Sequence, residues 1–169
     1  AAVVGPLIEV PALIALVTVS RSFQRRFFAN EPSRVSPPPT IIFACVHNAG
    51  RSQMAAAWFN QVADPAKARA ISAGTQPSDH VHPVVVDAMK ERGIDLSKAE
   101  PQKLTADLAK GAAFLITMGC GESCPYVPGV PILDWPLPDP KGQGIEPVRL
   151  IRDEVESRVR ALVQEHGWA

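Results

Sequence analysis

The chain has 169 residues, enough for one domain with a substantial core, and its 17 basic residues balance 17 acidic ones. Zero net charge offers no basic surface for a polyanion, so a nucleic-acid partner is not expected. Three cysteines are too few for a disulfide scaffold, and the odd count leaves one thiol free even if two pair, which fits a reducing compartment.

Residues 1–19, AAVVGPLIEVPALIALVTV, are apolar except for Glu9 and Thr18 and begin without methionine, so the chain reads as a fragment of something longer. The run suits most of a membrane-spanning helix, and Arg21, Arg25 and Arg26 follow at once, as at a cytoplasmic helix end. A secretory signal has the opposite order of charge and apolar region. Pro6 and Pro11 weaken a helix, although proline is better tolerated in membrane helices than in soluble ones; a buried soluble helix or a disordered remnant is the alternative. NEPSRVSPPP, residues 30–39, has prolines that impose extended geometry and offers no apolar face, which makes it a semi-rigid linker. The expected organisation is thus a membrane segment over 1–29, a linker over 30–39 and a folded domain over 40–169.

In that domain TIIFACV is a short apolar, β-branched run feeding a glycine-containing turn, a buried strand. A helix is expected from Ser52 through Val62, ending before Asp64 and Pro65. ARAISAGT predicts a second strand, and PVVVDAMKERG, from Pro83 to Gly93, a helix with proline in its first turn and glycine beyond its end. AAFLITM is a third strand running into Cys120, and PILDW a short fourth. From Pro147 to His166 the apolar residues Val148, Ile151, Val155, Val159, Leu162 and Val163 recur at spacings of three and four, the pattern of an amphipathic helix. Strands alternating with helices imply a parallel sheet covered on both sides, an α/β three-layer sandwich with four strands. Ligands in such sheets sit at the carboxyl ends of the strands, where Cys45, Cys120 and Asp139 all fall.

CVHNAGRS, between the first strand and helix, carries the chemistry. The backbone N–H groups of Val46, His47, Asn48, Ala49, Gly50 and Arg51 would form an anion nest, with the helix dipole adding positive potential. Arg51 supplies a planar fork of donors suited to a tetrahedral oxyanion. The same field favours the thiolate of Cys45, Ser52 can hydrogen-bond it, and the Asn48 amide can lock the loop. His47 reads as a rim residue. An inert core thiol at Cys45 is the plain alternative, since free cysteine is commonly buried. The spacing of cysteine and arginine is weak alone and much stronger between a buried strand and a helix.

The stretch CVHNAGRSQMA resembles the phosphate-binding loop of the low-molecular-weight tyrosine phosphatase superfamily, and in particular its arsenate reductase branch. The similarity continues through SAGTQPSDHVHP, ERGIDLS, LITMGCGESCP and DWPLPDPKG, across residues 40–169. The resemblance implies Cys45 as nucleophile, Arg51 as oxyanion clamp and Asp139, followed by Pro140, as general acid; an ordinary turn residue is the alternative for Asp139. Asp134, before Trp135, is a structural competitor for that role.

Cys120 and Cys124 separate a phosphatase from a reductase, which must pass two electrons through thiols. Thioredoxin-coupled relatives use two further cysteines, the last in a CP pair that Cys124 and Pro125 match, although they space the two more widely. An actinobacterial branch uses mycothiol and mycoredoxin instead and needs Cys45 alone. A metal site is not expected from two cysteines and scattered histidines, and no tightly bound cofactor is implied. Lys141 stands where phosphatases of this family usually carry a tyrosine after their DP pair; the single tyrosine is Tyr126. The resemblance therefore implies reduction of arsenate to arsenite with thioredoxin or mycothiol as external thiol; a tyrosine or small-molecule phosphatase and a non-catalytic oxyanion-binding module are the alternatives. VVGPLIEVPALIALVTVSRSF resembles the last helix of arsenite efflux permeases, which implies a permease in the same chain, a membrane anchor and a cytoplasmic catalytic domain.

Overall fold

The computed structural model describes residues 37–120, 124 and 126–169. The chain divides into two units between Pro37 and Pro38, and the second, Pro38–Ala169, is the one described below. The expected membrane helix in 1–29 and the linker up to residue 36 lie outside the described residues. Among the described residues, no helix is long and apolar enough to cross a membrane.

Strand β1 (Thr40–Cys45) is an apolar, β-branched run in the sheet interior. Successive side chains point to opposite faces: Ile41, Phe43 and Cys45 enter one hydrophobic cluster, Ile42 and Ala44 another. On one side β1 pairs with β2 (Arg69–Gly74), which sets Cys45 opposite Gly74. On the other it pairs with β3 (Phe114–Thr117), which sets Ala44 opposite Thr117. β4 (Ile132–Asp134) joins outside β3, giving the order β2-β1-β3-β4 with every pair parallel.

Helices α1 (Arg51–Val62), α2 (Pro83–Lys90) and α4 (Ile145–Glu165) cover the Phe43 face. Met54 and Phe59 of α1, Met89 of α2 and Val155 of α4 meet there. Phe43 and Phe59 are fully buried with ring centroids 6.1 Å apart, so truncating either to alanine would cost about 3–5 kcal/mol. All six apolar positions foreseen on α4 are buried. The opposite face packs Ile42, Ala44 and Leu115 against Leu104, Ala109 and Val127, with the one-turn helix α3 (Ala106–Ala109) on this side. Two covered faces complete the expected three-layer α/β sandwich.

The departures are local. α2 stops at Lys90, somewhat earlier than expected, as Ile94 N–H returns to Met89 O; Gly93 lies beyond its end as foreseen and takes φ +78°. α4 starts at Ile145 and holds Pro147 in its first turn, where a missing N–H costs no helical bond. α3 was not foreseen: four residues carry no periodicity, and Thr105 caps it by accepting from Leu108 N–H at 3.1 Å. Nor was the buried Arg152, which ties α4 to α2 by donating to Ala88 O at 2.8 Å and to Glu91 Oε2 at 3.0 Å.

Candidate active site

The carboxyl end of β1 delivers Cys45, 2% exposed, to the floor of a loop that runs over 46–50 into α1. The loop's carbonyls are turned to outside partners. Those of Cys45, Val46 and His47 accept from Thr75, Gln76 and Ser78 N–H, and that of Ala49 accepts from His82 N–H at 2.9 Å. With its carbonyls engaged there, the loop has its N–H groups for the concave side, the requirement for an anion nest at the start of α1. Gly74 permits the close approach: a Cβ there would lie 2.7 Å from Val46 O and 2.9 Å from Asn48 N.

Asn48 is the lock of the loop. It is fully buried at φ +49°, a conformation asparagine tolerates better than most residues. Its Oδ1 accepts from Gln102 N–H at 2.8 Å and from Gln53 Nε2 at 3.2 Å, and its Nδ2 donates to Ser52 Oγ at 2.8 Å. Because Ser52 Oγ accepts there, its own proton is directed to Cys45 Sγ, 3.0 Å away. Asn48 N–H also donates to Cys45 Sγ at 3.2 Å, so two donors converge on the sulfur.

Arg51 opens α1 and is 6% exposed. Its Nη1 donates to Leu137 O at 2.9 Å and its Nη2 to Asp139 Oδ2 at 2.9 Å. The carboxylate is about half exposed, and its Oδ1 accepts from Lys141 N–H at 3.0 Å. Pro140 sits in a notch left by Gly50, where an added Cβ would come within 2.5 Å of the proline Cγ. Asp139 is therefore anchored on both sides, by Arg51 and by the seat of its neighbour. Asp134 is occupied elsewhere, accepting from Thr117 Oγ1 at 2.5 Å between the paired ends of β3 and β4.

His47 lies at the rim, its Nδ1 3.3 Å from Gln76 O. His82 stands at the start of α2; burial pushes its imidazole below the ordinary value, while the Asp139 carboxylate acts in the opposite sense. Cys120 follows β3 and is buried, Cys124 is half-buried, and the two form a disulfide with Cα atoms 5.7 Å apart, leaving Cys45 as the free thiol.

The structure thus brings Cys45, Arg51, Ser52 and Asp139 together, with Asn48 behind them, and joins Cys120 to Cys124. Sequence reading missed Gly74, Gln53, Gln102 and the Leu137 carbonyl. Gly74, next to last in ARAISAGT and the final residue of β2, was the one available signal, since a glycine at a strand end marks a close backbone approach.

Residues 40–167 match the family model described as low molecular weight phosphotyrosine protein phosphatase. A Halobacterium salinarum protein named "Putative arsenate reductase" is 40% identical over 127 residues, covering 73% of this chain and 89% of that protein. A Synechocystis protein named glutaredoxin arsenate reductase is 34% identical over 126 residues, covering 73% and 95%. Among solved structures, a thioredoxin-dependent arsenate reductase of Corynebacterium glutamicum superposes with a TM-score of 0.68 at 34% identity, covering 96% of this chain and 77% of that one.

Proposed function

Because the chain belongs to the low molecular weight phosphotyrosine protein phosphatase family, we propose that it reduces arsenate to arsenite through a covalent adduct on Cys45. The observation that carries this reading is the pairing of a phosphatase-like anion cradle with a Cys120–Cys124 disulfide. A hydrolase has no use for the disulfide, whereas a reductase leaves one behind each time arsenic gains two electrons.

Arsenate enters the nest of Val46, His47, Asn48, Ala49, Gly50 and Arg51 N–H groups and takes the Arg51 fork. Asp139 is thereby released from its ion pair to carry a proton. The Cys45 thiolate attacks arsenic(V): an S–As bond forms, an As–OH bond breaks, and the hydroxide leaves as water with the Asp139 proton. The Cys120 thiolate then attacks the Cys45 sulfur. The new S–S bond replaces the S–As bond, whose electron pair stays on arsenic, and arsenite departs. Cys124 displaces Cys45 from Cys120, which restores the nucleophile and leaves the Cys120–Cys124 disulfide. Burial supports this order: Cys120 is enclosed, and Cys124 is the more accessible sulfur for an external reductant. No tightly bound cofactor takes part; two electrons and two protons come from an outside dithiol.

Thioredoxin is the reductant favoured by the intramolecular pair, and mycothiol with mycoredoxin is the competing route. Arsenite formation assayed with each separates them. Cys45→Ser abolishes turnover in both. Cys124→Ser releases one arsenite per chain with thioredoxin and then stops. If instead Cys120→Ser and Cys124→Ser together leave mycothiol-driven turnover intact, the intramolecular relay is wrong. Hydrolysis of phosphate esters without arsenate reduction would return the chain to the phosphatase reading.

We also read 1–29 as the last helix of an arsenite permease, joined through 30–39 to the reductase domain of 40–169, with the catalytic domain on the cytoplasmic face. Arsenite would then be released near its exporter. Membrane fractionation of the full natural protein tests this, and recovery entirely in the soluble fraction would end it.

A further inference from the structure

Arg51 is held from three directions, and only two are hydrogen bonds. The third is Gly119, the residue after Met118 at the end of β3, which takes φ +75° and lies against the guanidinium. A Cβ on Gly119 would stand 2.8 Å from Arg51 Nη1 and 3.7 Å from Cζ. The same Nη1 donates to Leu137 O, and the neighbouring Nη2 donates to Asp139. A side chain at position 119 therefore cannot be accommodated without turning the fork away from these partners.

We propose that Gly119 is a positioning residue for Arg51: its bare Cα is the seat that aims the guanidinium at the oxyanion. The atom an added side chain would displace is the far end of a flexible chain, so the fold can absorb the change while the aim of the fork cannot. Gly119 also immediately precedes Cys120. The seat of the clamp and the buried sulfur of the redox pair are thus consecutive residues just beyond β3. The inference rests on the reading of Arg51 as the oxyanion clamp.

Two other glycines make the experiment clean. Gly129 and Gly111 also have left-handed φ, +80° and +79°, but an added Cβ at either meets nothing within 4 Å. Gly129→Ala thus pays the same backbone strain as Gly119→Ala without touching the clamp. Dissociation constants for inorganic phosphate, a non-reducible stand-in for arsenate, are measured by calorimetry on the reduced full chain. Gly119→Ala is expected to weaken phosphate binding about tenfold or more, the loss of one well-aimed charged hydrogen bond, while Gly129→Ala leaves it within twofold of the parent. Gly119→Asn, which adopts left-handed backbone more easily, should weaken binding equally and keeps the test open if the alanine variant folds poorly.

Arg51→Lys supplies the second axis, because lysine has no fork for a Cβ at position 119 to meet. In that background Gly119→Ala should change the phosphate constant by less than twofold. The proposal is overturned if Gly119→Ala and Gly119→Asn bind phosphate like the parent. Equal weakening by Gly129→Ala, or an undiminished Gly119→Ala effect in the lysine background, overturns it as well. If Arg51→Lys itself leaves phosphate binding unchanged, the clamp reading fails first, a result distinct from the others.

Discussion

Asn48 should decide whether the loop is a pre-built cradle or a flexible turn. Asn48→Ala removes the acceptor of Gln102 N–H at 2.8 Å and of Gln53 Nε2 at 3.2 Å, and the donor to Ser52 Oγ at 2.8 Å. Each buried donor left unpaired costs about 1–3 kcal/mol. Gln53 keeps a longer contact to Glu100 O at 3.5 Å, so its share falls at the low end. The left-handed backbone at φ +49° adds about 1 kcal/mol for alanine. The expected loss is about 3–4 kcal/mol, which for a domain of this size lowers Tm by roughly 10–15 °C. Urea unfolding read by tryptophan fluorescence measures it. Asn48→Asp is the informative partner: it keeps the acceptor and the left-handed tolerance, so most stability survives. It also sets a negative charge beside the nest and should abolish phosphate binding. An Asn48→Ala unfolding free energy within about 1 kcal/mol of the parent's would refute the idea that this network holds the loop.

Two further perturbations probe the acid loop and the helix clasp. Gly50→Ala pushes Pro140 out of its notch and with it Asp139, so kcat for arsenate should fall about tenfold or more, with little additional effect in an Asp139→Asn background; additive losses would separate the notch from the acid. Glu91, hydrogen-bonded first by Arg149 and then by Arg152, has its carboxyl held down to about 2. A folded-state value below the unfolded one means the stability this group contributes is present above about pH 4.5 and is lost as pH falls through about 2. Carbon-detected titration of the carboxyl should place its midpoint near that value and shift it upward in Arg149→Met; a midpoint near 4 in the parent would show that the clasp does not form in solution.

What the sequence made legible and what it hid follow from how far each signal reaches along the chain. TIIFAC carries its burial in an unbroken apolar run and α4 in apolar spacings of three and four, because each residue's environment is set by its own element. Cys45, Arg51 and Ser52 were visible for the same reason: strand, loop and helix start form one local unit. β4 was foreseen although all three of its residues are exposed, because the apolar stretch that predicts it matches a strand at the sheet edge as well as one in the interior. Asn48 shows the limit of local reading. Its role in locking the loop was expected from its amide, but Gln102, whose N–H donates to its Oδ1, lies 54 residues away and carries no motif of its own. Gly119 and Leu137 are further cases of the same kind. Each acts on Arg51 through backbone atoms, a carbonyl in one and a missing Cβ in the other. Backbone contacts of this sort leave no constraint on side-chain type except where glycine is required, so glycine is the only letter in which they can be written. Gly119 stands beside Cys120 in GCGESC, where it reads naturally as flexibility for the thiol pair. Only the fold shows that its neighbour in space is the Arg51 guanidinium.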